Sequence, residues 1–478
     1  MQALAARFVE GLRAGSAEAE LLAAVGEADP QRAARAFEAA AVDPDLEAHV
    51  ARWAPALLAS ARPGFGAEAL CELALAARER AGAGLAPAAL AGAARVLGSS
   101  NFLARLLIRQ PELAEELSGD PPGPAPARPP PADWAGVRAA KYRGLVRIAA
   151  RDLAGRPFAQ SLRELSDLAD HCLDAALDLA ARETGVAPPA LFALGKLGGR
   201  ELNFSSDVDL LFVYEAPEGD ADLERNRSVS RLVRVFKRQL EEPGEDGFAY
   251  RVDLDLRPEG DTGALANSVS AALDYYEGFG AEWERQMLLR LRPLAGPAAV
   301  AEEFVRGVEP FVYRRSIDPG ALRAVRAMKA RIEEERRAQR RDLEADLKEG
   351  PGGIRDVEFL VQALQLFYAG GHPELRTGNV LEALDALARF GILAADVARS
   401  LADAYLWLRR AEHAAQLAEE RQVHAFPRDP AEQRRLARRM GYADASVARA
   451  RERLLEDWTA VRVQVREPFE ALVLQEPA

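Results

Sequence analysis

The stretch that decides the fold is "GKLGGRELNFSSDVDLLFVYE", which runs from Gly195 to Glu215. Glycines, two serines and two aspartates come directly before "LLFVY", a run of residues that favour β-strands. Successive side chains of a strand point to opposite faces, so Asp207 and Asp209 are predicted to lie on the same side. Two half-buried carboxylates at one point are unfavourable unless protons or a cation compensate them. The stretch therefore predicts a site for a hard divalent cation such as Mg²⁺ beside a buried strand.

The residues upstream of these two aspartates are typical of a loop that binds phosphate. Glycine permits positive φ and a close approach of the main chain, and its N–H groups can then surround an anion. Lys196 is not the lysine of a P-loop, because Leu197 follows it where that motif has Ser or Thr. The residues that we expect at the phosphate are Gly195, Lys196, Gly198, Gly199, Ser205 and Ser206.

A second acidic pair lies in "YRVDLDLRP", Tyr250–Pro258. Alternation again places Asp253 and Asp255 on one face of a strand. If this strand neighbours the first, three or four carboxylates meet, which is enough to hold two divalent ions for phosphoryl or nucleotidyl transfer. Arg257 is then expected to neutralise phosphate charge. One D-x-D motif is more often a solvated strand face, but the upstream glycines and serines and the second pair favour a site.

The segment "GPGGIRDVEF", Gly350–Phe359, has two interpretations. Its glycines end one charged helix and begin another, or they bring charged side chains to the site. In the second case those side chains are Lys348, Arg355, Asp356 and Glu358. The residues by themselves favour the structural interpretation.

Hydrophobic periodicity divides the chain into four segments. The three- and four-residue spacing of apolar residues predicts helices at both ends, and β-type runs appear only in the middle. We predict a helical region over 1–117, a Pro/Gly-rich linker over 118–133, a mixed catalytic domain over 134–314 and a helical bundle over 315–478. The predicted fold class is α+β and predominantly helical.

Composition excludes several classes of function. The net charge of −12 over 478 residues argues against nucleic acid as a partner. The N-terminus has charges every few residues, so we expect no signal peptide, no membrane association and a cytoplasmic location. The five histidines have no metal-binding spacing, and the two cysteines, Cys71 and Cys172, are expected to be buried apolar residues. A bound metal must therefore be held by carboxylates.

Four ordered motifs resemble one family. These are "ALGKLGGRELNFSSDVDLLFVYE", "YRVDLDLRPEGDTGALANS", "DYYEGFGAEWERQMLLRLRPLAG" and "KEGPGGIRDVEFLVQALQL". They look like glutamine synthetase adenylyltransferase, a family of the nucleotidyltransferase superfamily whose bifunctional members add AMP to a glutamine synthetase tyrosine and remove it. The resemblance implies a mixed-sheet nucleotidyltransferase core flanked by an N-terminal helical region and a C-terminal helical bundle.

The resemblance also implies a reaction. The motif "NFSSDVDL" is similar to the corresponding motif in the deadenylylating half of that family. In that half, phosphate attacks the AMP phosphorus and ADP is released. The alternatives are ATP-dependent adenylylation of the same tyrosine and a non-catalytic nitrogen-regulatory module. The implied partners are glutamine synthetase as protein substrate, ATP or ADP, phosphate, and a PII-type signalling protein.

Carried over residue by residue, the resemblance implies that Asp207, Asp209 and Asp253 are the catalytic, metal-binding residues and hold Mg²⁺, as two ions. Asp255 is the alternative third ligand, at a position where the family often has a basic residue. The resemblance reverses the preference at "GPGGIRDVEF". It implies that this segment, with Arg355, Asp356 and Glu358, lies near the nucleotide or the domain junction.

Overall fold

The computed structural model describes most of the chain. The described residues are 2–118, 129–216, 222–244, 247–314, 331, 334, 343–442 and 447–474. Residues 119–128 of the predicted linker lie outside this described part, as do most of residues 315–342, where the C-terminal helical segment is predicted to begin.

The chain folds into two compact units, and each unit is made of three sequence segments. Unit 1 contains Met1–Pro126, Tyr142–Ser161 and Arg409–Ala460. Unit 2 contains Ala127–Lys141, Leu162–Leu408 and Val461–Ala478. The four segments predicted from the sequence divide the chain differently and stay a prediction.

Unit 1 is helical wherever it has regular structure in the described part. Its first segment contains α1 (Gln2–Arg13), α2 (Ala19–Ala24), α3 (Pro30–Ala41), α4 (Val50–Ala59), α5 (Pro63–Ala76), α6 (Leu90–Leu97) and α7 (Asn101–Arg109). Helices α8 (Trp134–Leu153) and α9 (Phe158–Thr184) are among those that cross a unit boundary.

Local signals in the sequence start several helices of unit 1. Before α3, the side chain of Asp29 accepts a hydrogen bond from the Arg32 N–H at 3.0 Å, and Pro30 occupies the first helical position. Both features satisfy or remove donors that have no partner at a helix start. An aromatic cluster fills the core: the Phe37 ring lies edge-on to Phe8 at 5.0 Å and stacks on Trp53 at 6.1 Å.

Unit 2 contains the sheet. Its strands are β1 (Ala190–Ala193), β2 (Val208–Tyr214), β3 (Val252–Asp253), β4 (Asn267–Ser268) and β5 (Arg292–Ala295). Helices α10 (Gly195–Gly198), α11 (Asp222–Glu241), α12 (Val269–Gly278), α13 (Glu282–Leu288) and α14 (Ala298–Val312) lie among the strands in sequence.

Helices continue to the end of the described chain. They are α15 (Ile354–Tyr368), α16 (Val380–Arg389), α17 (Ala395–Leu417), α18 (Pro430–Arg439) and α19 (Val447–Phe469). The predominantly helical α+β fold predicted from the sequence is confirmed.

The sheet is mixed, with the strand order β3-β2-β1-β5 and with β4 also paired to β2. Strand β1 is antiparallel to β2 and to β5, whereas β3 and β4 run parallel to β2. Helices cover both faces. Phe212 of β2 lies edge-on to Phe236 of α11 at 5.4 Å, while Phe192 of β1, whose side chain points to the other face, meets Phe304 of α14 at 5.1 Å. Burial on both sides explains why "LLFVY" is continuously apolar.

The second predicted strand is much shorter than its sequence pattern indicates. Strand β3 ends at Asp253, so Asp255 lies outside it and does not alternate with Asp253 on one strand face. The prediction of a shared face is wrong. The Asp253 carboxylate accepts a hydrogen bond from the Asp255 N–H at 2.8 Å, which is a local turn that competes with strand pairing.

Backbone contacts behind the sheet leave no room for a side chain at Gly198. A Cβ there would lie 1.9 Å from the Arg290 carbonyl oxygen and 3.0 Å from that of Ala193. Gly198→Ala should therefore lower the free energy of unfolding by about 1–3 kcal/mol, as measured by urea titration.

A matched control is Gly278→Ala, at the last residue of α12, where a Cβ would meet no heavy atom within 4 Å. This variant should be unchanged or more stable by about 0.5 kcal/mol, because alanine favours a helix over glycine. Equal stability of the two variants would contradict the close approach at Gly198.

Candidate active site

The centre of the candidate site is the pair Asp209 and Asp253. Strands β2 and β3 are parallel, with Val208 opposite Val252 and Asp209 opposite Asp253. The Asp209 side chain is half-buried. Burial, and then the charge of Asp253, raise the pKa of Asp209 to about 6. The two carboxylates therefore lie side by side, and their repulsion is only partly relieved.

Two lysines supply the opposing charge. The ammonium groups of Lys196 and Lys348 lower the pKa of Asp209, against the larger effects of burial and of Asp253. Lys196 follows β1 in the sequence and Lys348 precedes α15, so residues about 150 positions apart surround one carboxylate. The sequence pattern placed Lys196 at a phosphate and left Lys348 open, because no local motif shows that distant segments meet.

Gly195 forms one wall of this pair. Its φ is +52°, in the left-handed region that favours glycine, and it starts the single turn of α10 directly after β1. A Cβ at this position would lie 2.1 Å from the Asp209 Oδ2 atom. The main chain also holds Asp209, because its carbonyl accepts a hydrogen bond from the Leu194 N–H at 2.9 Å. The glycine therefore leaves the space that the carboxylate occupies.

Asp207 has a different partner. Its carboxylate forms an ion pair with Arg251, and both side chains are 36% exposed. The Arg251 guanidinium also lies over the Phe248 ring, 5.3 Å from its centroid. Sequence reasoning missed this pair, although the parallel register predicts it: Asp207 and Arg251 each precede the paired valines Val208 and Val252.

Asp255 and Arg257 lie in the loop after β3. Asp255 is exposed, with 75% of its side chain accessible. The Arg257 guanidinium is buried and donates hydrogen bonds at 2.8–3.2 Å to carbonyl oxygens of its own loop, those of Leu254, Asp261 and Gly263. These bonds stabilise the turn that ends β3, and they do not direct Arg257 to the carboxylate pair.

The predicted phosphate loop is only partly open. Lys196 Nζ lies 3.4 Å from Ser206 Oγ, which also accepts a hydrogen bond from the Asn203 N–H at 3.2 Å. Ser205 contacts Arg251 through its carbonyl oxygen at 3.4 Å. Gly199, in contrast, is packed against backbone, since a Cβ there would lie 2.6 Å from the Gly378 carbonyl oxygen. Like Gly198, it allows two chain segments to touch.

The segment "GPGGIRDVEF" forms the start of α15, and its charged residues mostly hold that start in place. Arg355 pairs with Glu349 at 3.0 Å, and Glu358 pairs with the buried Arg290 at 3.2 Å. The fully buried Asp356 accepts a hydrogen bond from the Gly352 N–H at 2.8 Å. The contacts of these three residues fit the structural interpretation of this segment, and their assignment to a nucleotide stays a prediction.

The candidate metal ligands do not form a complete cluster. Within the described ranges, no three His, Cys, Asp or Glu side chains are grouped closely enough to hold a metal ion. Asp209 and Asp253 lie together, whereas Asp207 is engaged by Arg251. Among the described residues, the structure therefore offers two adjacent carboxylates, those of Asp209 and Asp253.

Comparison with known protein families gives two matches. Residues 90–307 match the model of the glutamate-ammonia ligase adenylyltransferase family. Residues 326–473 match the model of the PII-uridylyltransferase family. The first match contains β1, β2 and β3, and therefore the carboxylate pair.

Similar curated proteins carry one name, bifunctional glutamine synthetase adenylyltransferase/adenylyl-removing enzyme. The protein of Stenotrophomonas maltophilia (strain K279a) is 42% identical over 377 residues, which is 74% of this chain and 40% of that protein. The protein of Thioalkalivibrio sulfidiphilus is 38% identical over 404 residues, 77% of this chain and 41% of that protein. The chain thus spans about two fifths of the length of these relatives. A search of the described helices finds none that is long and apolar enough to cross a membrane.

The raised pKa of Asp209 predicts a pH-dependent stability. Between about pH 4 and 6 the folded protein binds more protons at this carboxyl than the unfolded chain, so the free energy of unfolding falls as the pH rises. Asp209→Asn removes this effect. Without divalent cations, the variant should gain about 2 kcal/mol relative to the unsubstituted protein between pH 4.5 and 7.5, as measured by urea unfolding.

Asp255→Asn is the control, because it removes a carboxylate that is 75% exposed and outside the strand. The pH-dependent gain of Asp209→Asn should exceed any change that this control shows. A flat difference for Asp209→Asn would show that Asp209 is not a strained carboxylate.

Proposed function

We propose that the chain, whose residues 90–307 match the glutamate–ammonia ligase adenylyltransferase family, is a nucleotidyltransferase that acts on glutamine synthetase. The match covers only 40% of the length of such a relative, so the activity of a whole relative is not assumed for this chain. The observation that carries the proposal is the Asp209–Asp253 pair on adjacent parallel strands. Paired carboxylates of this kind serve phosphoryl transfer in many enzymes.

The donor set fits a hard divalent cation. Asp209 and Asp253 provide carboxylate oxygens, the ligand type that Mg²⁺ prefers, and their mutual repulsion favours a bound cation. We propose that these two residues hold Mg²⁺. We also propose that Asp207 leaves its ion pair with Arg251 and becomes a third ligand, because a site for two ions requires more carboxylates. When bound, Mg²⁺ would neutralise charge on the reacting phosphate oxygens.

The residues around the pair are suited to binding a phosphoryl group. Lys196 and Lys348 provide positive charge beside Asp209, and Ser206 provides a hydroxyl within 3.4 Å of Lys196. Cations in fixed positions stabilise the charge that develops in a phosphoryl-transfer transition state. We propose that these three side chains orient the phosphate, in place of Arg257, which is engaged in its own loop.

We propose that the reaction removes AMP. An oxygen of inorganic phosphate forms a bond to the AMP phosphorus, and the bond from phosphorus to the tyrosine oxygen breaks. The products are ADP and the tyrosine phenolate, which takes up a proton. The wording "NFSSDVDL" supports this direction, and the names of the relatives, which include both adenylyltransferase and adenylyl-removing activity, are compatible with it.

A PII-type signalling protein is a second proposed partner. Its support is the match of residues 326–473 to a family whose description names PII. The sequence resemblance implies the same partner.

Asp209→Asn should lower the rate of ADP formation from adenylylated glutamine synthetase, phosphate and Mg²⁺ by at least about a hundredfold, because removal of one anionic ligand disrupts the phosphoryl-transfer site. Asp253→Asn should have a similar effect. The control, Asp255→Asn, should retain activity, since the Asp255 side chain is exposed and lies outside the strand.

The same assay tests the alternatives. Transfer of AMP from ATP to unmodified glutamine synthetase, without ADP formation from the modified enzyme, would reverse the proposed direction. Full activity of Asp209→Asn would remove the proposed site. Absence of both reactions would favour the non-catalytic regulatory module.

Cation binding provides a readout that is independent of activity. Mn²⁺, a spectroscopic substitute for Mg²⁺, should bind to the unsubstituted protein and to Asp255→Asn, as measured by electron paramagnetic resonance. Its affinity should fall at least about tenfold in Asp209→Asn, which lacks one of two adjacent carboxylates. Equal affinity in all three proteins would place the cation elsewhere.

A further inference from the structure

Unit 1 contains a pocket of about 270 Å³ that the proposed function does not use. The segments that line it are 25–33, 61–68 and 431–438. All three belong to unit 1, so the pocket lies within a single compact unit. We call it the arginine pocket, after its five arginines, Arg32, Arg62, Arg434, Arg435 and Arg438.

The arginine pocket has more cations than its own carboxylates balance. Five arginines line it against three acids, Glu27, Asp29 and Glu68, in a chain whose net charge is −12. Arg32 is fully engaged by Glu68, with two contacts at 2.7 and 3.0 Å. The lining residues therefore carry more positive than negative charge, even though Glu432, which is not a lining residue, pairs with Arg435.

The other two carboxylates of the lining also accept hydrogen bonds. Glu27 accepts a hydrogen bond from the Gly64 N–H at 2.7 Å, and Asp29 accepts one from the Arg32 N–H at 3.0 Å. Arg435 pairs with Glu432, one turn before it on α18. Arg62 and Arg438 have neutral partners: Arg62 bonds to the Asn101 side chain at 2.6 Å, and Arg438 bonds to the carbonyls of Leu58 and Ser60.

Two of these arginines lie in surroundings that destabilise their charged form. Burial, and then the charge of Arg435, lower the pKa of Arg62. Burial lowers the pKa of Arg438 to about 10, and Glu27 is the charge that opposes it. An anion that binds beside such a guanidinium stabilises its charged form. The cations are thus held in place by the fold before any anion arrives.

Three helix starts face the same pocket. Helices α3, α5 and α18 each have proline at the first helical position, and the first turns of all three contribute lining residues. The positive ends of helix dipoles add to the attraction for an anion.

We propose that the arginine pocket is a binding site for a compact phosphate group, carried by free phosphate or by a small phosphate ester. The excess of arginines over carboxylates in the lining favours an anion. The tetrahedral oxygens of a phosphate can accept hydrogen bonds from donors that approach from several directions, whereas a carboxylate is planar and carries one charge. The Phe65 ring, with the Arg62 guanidinium 4.4 Å from its centroid, forms an apolar wall for the remainder of an ester.

The test measures phosphate binding to the full chain by isothermal titration calorimetry at pH 8, with ionic strength held constant by potassium chloride. All titrations use the Asp209→Asn background without divalent cations, and the arginine variants distinguish phosphate bound in unit 1 from phosphate bound at Lys196 and Lys348 in unit 2. Inorganic phosphate should bind saturably, and malonate should bind at least about tenfold more weakly. Phenyl phosphate distinguishes the two sources: tighter binding than phosphate identifies an ester, and weaker binding identifies the free anion.

Arg434→Gln is the main variant, because Arg434 lines the pocket and is only half-buried, so its replacement leaves the fold intact. It should weaken phosphate binding at least about tenfold through loss of one charge-assisted contact. Arg62→Gln should act in the same direction. The matched control is Arg35→Gln, an equal charge change at an exposed position of α3 that does not line the pocket.

Three results would overturn the proposal: no saturable phosphate binding in the Asp209→Asn background, equal weakening by Arg434→Gln and Arg35→Gln, or tighter binding of malonate than of phosphate. Circular dichroism confirms that each variant is folded before its affinity is compared. Loss of phosphate binding here leaves the proposed reaction in unit 2 untouched, because that reaction is measured separately as ADP formation.

Discussion

The parallel pairing of two residues of β2 with two residues of β3 is the constraint on which the candidate active site depends. It places Asp209 beside Asp253 and Asp207 beside Arg251. Strand β3 is too short to fix this register alone. Helix α11 supports it, because Glu241 accepts a hydrogen bond from the Val252 N–H at 2.9 Å and Lys237 donates one to the Val252 carbonyl. Satisfied backbone groups on both sides of Val252 make the register specific.

This register brings two carboxylates together, which is energetically unfavourable. The residues around the pair reduce that cost. Two adjacent carboxylates repel each other, and burial strengthens the repulsion. Lys196 and Lys348 relieve part of it, and Gly195 leaves the volume that the Asp209 carboxylate requires. A site that is strained without its ligand and relaxed with it is expected where binding drives chemistry. The neighbouring glycines, Gly198 and Gly199, serve a different purpose, since they let backbone segments touch.

Each unit contains a cluster of side chains with like charge. In unit 2 the fold gathers carboxylates whose repulsion favours a cation, and in unit 1 it gathers arginines whose excess charge favours an anion. Neither cluster follows from the net charge of the chain. The arginine pocket belongs to unit 1, and the Asp209–Asp253 pair belongs to unit 2. The fold of each unit therefore gathers side chains of one charge.

The sequence by itself determined the helical α+β class and strand β2, because periodicity and apolar runs act locally, whereas the pairing of β3 with β2 was known only from the tertiary structure. The sequence also predicted Asp207, Asp209 and Asp253, with Asp255 as an alternative, as the candidate metal ligands. Only the tertiary structure decided that Asp255 leaves the strand, that Arg257 binds its own loop, that Arg251 engages Asp207 and that Lys348 approaches Asp209. The arginine pocket likewise joins residues about 400 positions apart. Such contacts depend on how distant segments pack, and no local pattern of residues encodes that packing.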